Sequence, residues 1–517
     1  MMKSNAIKVA TLIAAILCSG IVSARYASAQ STVQPVEVVY EYHHDTSLAL
    51  RDMFPAAYHD MANRQAAENS AAASPIDAEL SPTAGLATLT TVRNFDGISH
   101  TGWSSPDTNG AVGATQFVQW VNTQYAVYSK STGAKIFGPA QGSTLFSGFG
   151  GLCQTSNGGD IIAQYDKAAG RWIMSQRAVQ PGGPFYQCVA VSATSDATGS
   201  WHRYAFVLTS NYPDYPKLGV WPDAYYITIN QQNPTTFAWI GGLACALNRS
   251  AMLAGTAATA QCASLSSNAF SLLPSDLDGA TPPPSGAPNY LLALGAGSLN
   301  LWKFHVDWLH PANSSVTGPT NLKVANFQQA CRGGVCIPQP GTAQLLDSLG
   351  DRLMYRLAYR NFGNHESIVV THSYATGSGT VGIRWYEIQN PGGSPPVVYQ
   401  TGNFVPDTTT YRWLGSIAMD KFGDIAVGYN VSGQSVNPGL RFAGRVPSDA
   451  LGKLEAEATV IAGTGIQTGS NNWGDYSSMS IDPVNDCTFW YTNEYYKTTG
   501  NGTWNTRIFA FKFPGCN

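Results

Sequence analysis

The stretch RWLGSIAMDKFGDIAVGYN, residues 412–430, contains the pattern on which the fold depends. Apolar side chains alternate with small or polar ones before Asp420 and after Asp424, and these two aspartates enclose a short, glycine-containing segment. Alternation with a period of two predicts β-strands, and the Asp and Gly residues between them predict a turn. The stretch is therefore interpreted as a β-hairpin.

Similar hairpins recur along most of the chain. The clearest stretches are GGDIIAQYDKAAGRWIMSQ (158–176), GVWPDAYYITIN (219–230) and WGDYSSMSIDPVNDCTFWYT (473–492), and looser ones lie at 106–133, 291–308 and 353–373. One landmark per unit recurs at roughly 60-residue intervals: Asp107, Asp160, Asp223, Leu291, Arg356, Arg412 and Asp475. A period of this length suits a four-stranded blade with elaborated loops. We expect an all-β chain folded as a β-propeller with seven blades, six or eight being the range of error. A pair of β-sandwiches is the alternative.

The hairpins SIAMDKFGDIAVGYN (416–430) and SIDPVNDCTFWYT (480–492) resemble those of secreted sialidase-like and glycosidase-like propellers. The resemblance covers residues 103–513 as architecture. The Asp-box pattern of sialidases, SxDxGxTW, is incomplete after Ser416, where no Thr-Trp pair follows. The resemblance therefore implies a fold and transfers no catalytic residue.

Composition agrees with an all-β fold. Only 12% of the 517 residues are charged, whereas Gly (52), Tyr (25), Phe (20) and Trp (13) are abundant, which favours turns and aromatic-rich strands. The formal net charge is −3. A surface built to bind nucleic acid would be basic, so nucleic acid is excluded as the main partner.

The N-terminus has the pattern of an export signal. Lys3 and Lys8 precede an apolar run at residues 9–22, and Ala27-Ser28-Ala29 supplies small residues for cleavage. The run is too short for a transmembrane anchor. We therefore expect a secreted protein, extracellular or periplasmic.

Three segments follow from these patterns. Residues 1–29 are the signal peptide, 30–93 an N-terminal arm or propeptide-like segment, and 94–517 the β-propeller domain. The arm is assigned because alanine-rich stretches and few aromatics distinguish it from the remainder.

Eight cysteines remain after removal of the signal. An even number in an exported chain predicts disulfides. Pairing of sequence neighbours would link each local unit: Cys153 with Cys188, Cys245 with Cys262, Cys331 with Cys336, and Cys487 with Cys516.

Charged residues near the starts of the predicted inner strands are the candidate catalytic groups. In a propeller these positions converge on a central funnel from distant parts of the chain. The candidates are Asp160, Asp223, Asp475, Arg356 and Arg412. Carboxylates in such a funnel can act as acid, base or nucleophile, and arginines can bind a substrate carboxylate. Ion pairs that close the ring are the structural alternative for the same residues.

Two further sets of residues are candidates for ligand contacts. Trp221, Trp413, Trp473 and Tyr476 lie beside the landmark charges and would offer ring faces to a sugar, although packing between blades explains aromatics at these positions equally well. Asp107 and Asn109 alternate oxygen ligands before a glycine, as in a calcium loop, with an Asx turn as the alternative.

The expected function is that of a secreted hydrolase, glycosidase-like, that uses funnel carboxylates on an extracellular polysaccharide or glycan. No cofactor is required, and calcium is the one ion considered. The alternatives are a non-catalytic propeller that binds glycan or protein, and a polysaccharide lyase. A close pair of buried carboxylates would favour the hydrolase.

Overall fold

The computed structural model describes residues 32–53, 89–100, 102 and 105–517. The signal segment and much of the predicted arm lie outside these residues. Helices in the described part are short: α1 (Gly151–Thr155), α2 (Arg249–Ala254) and 3-10 turns at Leu50–Asp52, Gly142–Phe146, Pro311–Asn313 and Ala330–Gly333. None of them has the length and apolar character needed to cross a bilayer.

Strands make up most of the described chain. The first are β1 (Thr32–Pro35), β2 (Glu37–Thr46), β3 (Thr90–Asp96), β4 (Asn109–Val112), β5 (Gln116–Val121), β6 (Gln124–Ser129), β7 (Lys135–Gln141), β8 (Ile162–Asp166), β9 (Arg171–Ala178), β10 (Tyr186–Ser192), β11 (Trp201–Phe206), β12 (Tyr212–Val220), β13 (Tyr225–Gln232), β14 (Trp239–Leu247), β15 (Thr259–Ser264) and β16 (Leu273–Asp278). They are followed by β17 (Asn289–Gly295), β18 (Ser298–His305), β19 (Ser315–Lys323), β20 (Gln328–Gln329), β21 (Val335–Ile337), β22 (Leu346–Asp347), β23 (Met354–Asn361), β24 (Glu366–Ala375), β25 (Val381–Gln389), β26 (Val397–Phe404), β27 (Tyr411–Met419), β28 (Ile425–Gly433), β29 (Val436–Arg445), β30 (Ala458–Ile461), β31 (Ser478–Ile481), β32 (Thr488–Tyr495) and β33 (Asn505–Lys512).

Consecutive strands pair antiparallel in groups of four. Three groups are separate sheets: β4 to β7, β27 to β30, and β31 to β33 with β3 added at the edge. A nine-stranded sheet joins the groups β8 to β11 and β12 to β15 through β2. A larger sheet joins β16 to β19 and β23 to β26 through a parallel pairing of β16 with β23. These curled, mostly antiparallel sheets define an all-β fold.

The first strands of these groups form a ring. In cyclic order, β4 contacts β8, β8 contacts β12, and the series continues through β16, β23, β27 and β31 back to β4. We call the side where these strands begin the entry end and the side where they finish the exit end. The ring brings residues from distant parts of the sequence to the same end.

Aspartate side chains stabilise the hairpin turns at the exit end. Between β27 and β28, Asp420 Oδ1 accepts hydrogen bonds from the backbone N–H groups of Phe422 (2.8 Å) and Asp424 (3.0 Å). Between β31 and β32, Asp482 Oδ1 accepts one from Val484 N (2.9 Å). These bonds satisfy backbone donors that the strand ladder leaves free, which explains why Asp recurs in the hairpin sequences.

Two of the landmark residues do not lie in or before the first strand of their group, where the sequence pattern placed them. The first strand of its group, β12, ends at Val220, so Asp223 lies in the turn that follows it. Leu291 lies in β17, the second strand of its group. Both β12 and β13 are almost continuously buried. Their hydrophobic pattern therefore did not show which of the two is the first strand of the group.

The N-terminal segment is joined to the sheets where it is described. β1 pairs with β19, and β2 pairs with both β11 and β15. β3 pairs with β33, so the boundary expected at residue 93 falls within a strand of the last sheet.

Four disulfides link sequence neighbours, with the pairings that the spacing favoured. They are Cys153–Cys188, Cys245–Cys262, Cys331–Cys336 and Cys487–Cys516. The last joins the start of β32 to the C-terminal residues, which ties the end of the chain to the sheet that contains β3.

Candidate functional site

Three aspartates meet at the entry end because the backbone turns sharply before the first strands. Asp107, Asp160 and Asp475 have positive φ values of 47°, 49° and 71°, and Tyr215 at the start of β12 has a φ of 53°. Left-handed backbone is less costly for Asp than for most other residues with a side chain. Asp160 Oδ2 accepts a hydrogen bond from Tyr215 N (3.3 Å), which joins two neighbouring groups of strands.

A buried lysine provides the central cation. The Nζ atom of Lys217 lies 3.4 Å from the ring centroid of Tyr215 and 3.9 Å from that of Tyr476, and it donates to Pro216 O (2.9 Å). Burial lowers the pKa of Lys217 to about 8, although Asp160, Asp475 and Asp107 oppose this shift by stabilising the ammonium. The lysine therefore remains charged at neutral pH and sits between aromatic faces that stabilise a cation.

Three carboxyl groups near Lys217 have raised pKa values. Burial raises the pKa of Asp475 to about 6, and the negative charge of Asp160 adds to this shift. Burial and the charges of Asp475 and Asp160 raise the pKa of Asp107 well above its usual value. Burial likewise raises the pKa of Glu494, whose Oε2 accepts a hydrogen bond from Gly474 N (2.7 Å). We refer to Asp107, Asp160, Lys217, Asp475 and Glu494 as the acid cluster.

Two arginines border the acid cluster. Arg177 forms an ion pair with Asp160 (Nε to Oδ2, 3.0 Å) and a longer one with Asp214 (3.6 Å). Arg352 pairs with Asp351 (2.7 Å), and its guanidinium carbon lies 4.7 Å from the ring centroid of Tyr215. The side chains of Asp214 and Asp351 are 34% and 29% exposed, so the cluster opens to solvent on this side.

Asp223, Arg356 and Arg412 do not join the acid cluster, although the sequence pattern grouped all three with Asp160 and Asp475. Asp223 lies at the exit end of β12, where it accepts a hydrogen bond from the hydroxyl of Tyr226 (3.2 Å). Burial raises the pKa of Asp223 to about 6, as for Asp475, but without help from another carboxylate.

Arg412 stabilises its own group of strands. Its guanidinium pairs with Glu457 (2.7 Å) and Asp407 (2.5 Å), and Arg441 contacts the same Glu457. Arg412 is fully buried and its guanidinium is already paired with Glu457 and Asp407, so it is not available to bind a substrate.

Arg356 belongs to a second set of charges, between the middle and the exit end of the ring. It pairs with Asp276 and with Asp278 (2.8 Å) of β16, and it donates to Met479 O (3.1 Å) of β31. Lys167 also pairs with Asp278. Arg360 pairs with Asp486 (2.7 Å). We refer to Lys167, Asp276, Asp278, Arg356, Arg360 and Asp486 as the paired cluster.

The aromatic residues proposed as a sugar platform are buried, so their rings contact other side chains of the protein. Trp221, Trp413, Trp473 and Tyr476 are each 0–1% exposed. Trp413 packs on Trp473 with ring centroids 5.7 Å apart, and Trp221 packs on Tyr359 at 4.7 Å. They fill the space between sheets, which is the common role of large aromatics in such folds. Tyr476 is nevertheless part of the site, because its ring covers Lys217.

Calcium binding by Asp107 and Asn109 stays a prediction. Asn109 Oδ1 accepts a hydrogen bond from Ala163 N (2.8 Å), and Asp107 Oδ1 accepts one from Ser105 Oγ (3.0 Å). In the part of the chain that the structure describes, no three His, Cys, Asp or Glu side chains are grouped as metal ligands. The cation beside Asp107 is the ammonium of Lys217.

The hairpin pattern of the sequence did not indicate four residues of the site: Lys217, Arg177, Arg352 and Glu494. The segment Asp214-Tyr-Pro-Lys217 ends two residues before Gly219, where the GVWPD stretch begins, and its two charges beside a proline were the available signal. The hairpin pattern begins at Gly219 and so does not include this segment. Glu494 ends β32 and has no local pattern that distinguishes it.

Comparison with known proteins identifies fold neighbours only. No family model and no curated protein sequence matches the chain. Among solved structures, it is similar to the N11 neuraminidase-like protein of influenza A/flat-faced bat/Peru/033/2010 (10% identity, 75% of this chain and 98% of that chain, TM-score 0.32). It is also similar to an ulvan lyase (11%, 80% and 81%, 0.28) and a thermostable family-43 glycoside hydrolase (11%, 69% and 92%, 0.28). Similar solved structures thus include sialidase-like, lyase and glycosidase structures, and at these TM-scores the similarity carries no argument about this chain.

Proposed function

We propose that this chain is a secreted carbohydrate-active hydrolase whose active site is the acid cluster at the centre of a seven-bladed β-propeller. The cyclic contacts of the first strands support this blade count. The blades would begin with β4, β8, β12, β16, β23, β27 and β31.

The proposal rests on the proximity of Asp160 and Asp475, two carboxyl groups that have different electrostatic surroundings. Asp475 has a pKa of about 6 and is partly exposed, so it can hold a proton near neutral pH and reach a substrate. Asp160 is ion-paired with Arg177. A carboxyl group with a raised pKa beside a carboxylate that is paired with an arginine suits acid-assisted cleavage of a glycosidic bond.

In this proposal Asp475 protonates the leaving oxygen and Asp160 supplies the second carboxylate. Lys217 stabilises the negative charge that Asp475 acquires when it gives up its proton. The raised pKa values of Asp107 and Glu494 oppose their ionisation, which limits the negative charge of the cluster. The substrate would be an extracellular polysaccharide or glycan, in keeping with four disulfides and an export-type N-terminus.

The test is digestion of a panel of neutral and acidic polysaccharides by the purified mature protein, with and without calcium. Once a substrate is found, Asp475→Asn should lower kcat about a hundredfold or more, because a positioned proton donor is lost. Asn tolerates the left-handed backbone at this position, so the variant should fold.

Asp223→Asn is the matched control. This carboxyl also has a pKa of about 6 and is partly exposed, but it lies at the exit end. It should retain wild-type turnover. Full activity of Asp475→Asn would refute the assignment, and binding of a glycan without cleavage by the wild type would favour a carbohydrate-binding propeller instead.

A further inference from the structure

A cavity of about 690 Å³ lies beside the disulfide loop Cys331–Cys336. Its lining includes Gln328, Gln329, Arg332 and Thr380. The side chains of the two glutamines and the arginine are exposed and make no hydrogen bond with another described residue. Hydrogen-bonding groups in a solvent-filled cleft of this size are typical of a ligand site.

The loop holds Arg332 in a restricted conformation. Cys331 and Arg332 have positive φ values of 49° and 57°, although neither is glycine. Such backbone costs on the order of 1 kcal/mol per residue and persists only where the surroundings enforce it. Here a disulfide closes a ring between residues only five positions apart. The backbone at Arg332 is therefore rigid, so little backbone entropy is lost when its side chain binds a ligand.

The loop also contacts the border of the acid cluster. A Cβ atom placed on Gly333 would lie 3.2 Å from Cβ of Asp351, so the loop packs closely against that residue. Asp351 pairs with Arg352, which stacks on Tyr215. The cavity and the acid cluster are thus separated by a short series of contacts on the same side of the ring.

Arg332 differs from four arginines near the two clusters or in the first strands in its lack of a carboxylate partner. Arg177, Arg352, Arg356 and Arg412 all form ion pairs within the protein. No ion pair involves Arg332 among the described residues. Arg356 and Arg412, the arginines expected to bind a substrate carboxylate, are occupied by carboxylates of the protein, whereas Arg332 lines the cavity without such a partner among the described residues.

We propose that this cavity is a subsite for a uronic acid unit of the glycan, with Arg332 binding the sugar carboxylate and Gln328 and Gln329 binding its hydroxyl groups. The planar guanidinium forms two parallel hydrogen bonds with a carboxylate, which a neutral sugar does not offer. The choice of a saccharide rests on the proposed function, whereas the choice of a carboxylate rests on Arg332.

Calorimetric titration with trigalacturonate and with its fully methyl-esterified form tests this subsite. The two probes have the same sugar skeleton, and only the first is anionic. We use the Asp475→Asn protein for the titration so that binding is measured without turnover. Trigalacturonate should bind about tenfold more tightly than the ester, and Arg332→Gln should remove this preference while leaving binding of the ester unchanged.

Two further variants sharpen the result. Arg332→Lys should restore part of the preference, because the charge returns without the forked geometry. Lys421→Gln removes one exposed positive charge at the exit end and should leave the preference intact. Equal binding of the two probes, no binding of either, or a preference that survives Arg332→Gln would each overturn the proposal.

The proposed function can fail independently. Cleavage of a neutral glycan by a protein without carboxylate preference would preserve the hydrolase and reject the subsite. Arg332-dependent binding of trigalacturonate by a protein that cleaves no glycan would do the reverse.

Discussion

The two ends of the ring of first strands both concentrate charged side chains, but they arrange them differently. In the paired cluster, each carboxylate forms an ion pair with an arginine or lysine on another strand or turn. In the acid cluster, four carboxyl groups surround Lys217, and the pKa values of Asp107, Asp475 and Glu494 are raised. Ion pairs in the first arrangement join different groups of strands, whereas burial and neighbouring carboxylates oppose ionisation in the second. The comparison shows that the cations beside a buried carboxyl group can decide the direction of its pKa shift, since Arg356 and Lys167 lower the pKa of Asp278 whereas burial and Asp160 raise that of Asp475.

Removing Arg356 should have the largest effect on stability. Arg356→Met leaves Asp276 and Asp278 buried without their main partner, which should cost about 3–5 kcal/mol. Urea unfolding monitored by circular dichroism measures this. Arg51→Gln is the control, because its ion pair with Asp196 is exposed and should contribute less than about 1 kcal/mol. Equal losses in the two variants would show that the paired cluster does not tie the ring together.

The acid cluster should give the activity a pH dependence that the paired cluster cannot. A proton donor with a pKa of about 6 loses its proton as the pH rises, so kcat/KM should fall by about tenfold per pH unit above pH 6. Asp223→Asn should retain this limb. Initial rates between pH 4 and 9 on the substrate found by the glycan panel test it, and a profile that stays flat above pH 6 contradicts the role of Asp475.

The smallest expected effect is an opposite influence of the two clusters on stability against pH. Burial raises the pKa of Asp475 to about 6, so the folded state holds a proton that the unfolded chain releases from about pH 4 upward. Its contribution to stability therefore falls as the pH rises from about 4 to 6. Asp475→Asn should remove this fall and gain on the order of 1 kcal/mol relative to the wild type at pH 7.

Asp278 should behave in the opposite way. Burial opposes its ionisation, but Arg356 and Lys167 outweigh burial and lower its pKa. Its contribution is present above the pKa of the unfolded chain and is lost as the pH falls through the lower folded value. Thermal unfolding of Asp278→Asn and Asp475→Asn between pH 3 and 7 compares the two. Slopes of the same sign in both difference profiles would contradict the division into two clusters.

Much of the fold was predictable because its determinants are local. The hairpin at 412–430 forms β27 and β28 with Asp420 in the turn, as the alternation indicated. Disulfides between neighbouring cysteines followed from their clustering. The candidate site was predictable only in part: Asp160 and Asp475 lie together, whereas Asp223 lies at the other end of β12.

The sequence by itself determined the all-β class, the recurring hairpins with their aspartate turns and the disulfide pairs, since each depends on residues close together in the chain. The tertiary structure alone decided which charges meet. Asp475 and Lys217 come together only because the ring brings β12 and the start of β31, which are not neighbours, to one end, and Arg356 pairs with Asp278 because β23 lies beside β16. An alternating pattern predicts a buried strand, but it does not show which strand lies at the centre of the ring. A buried charge therefore acquires its partner, and with it its pKa and its role, only when the ring has closed.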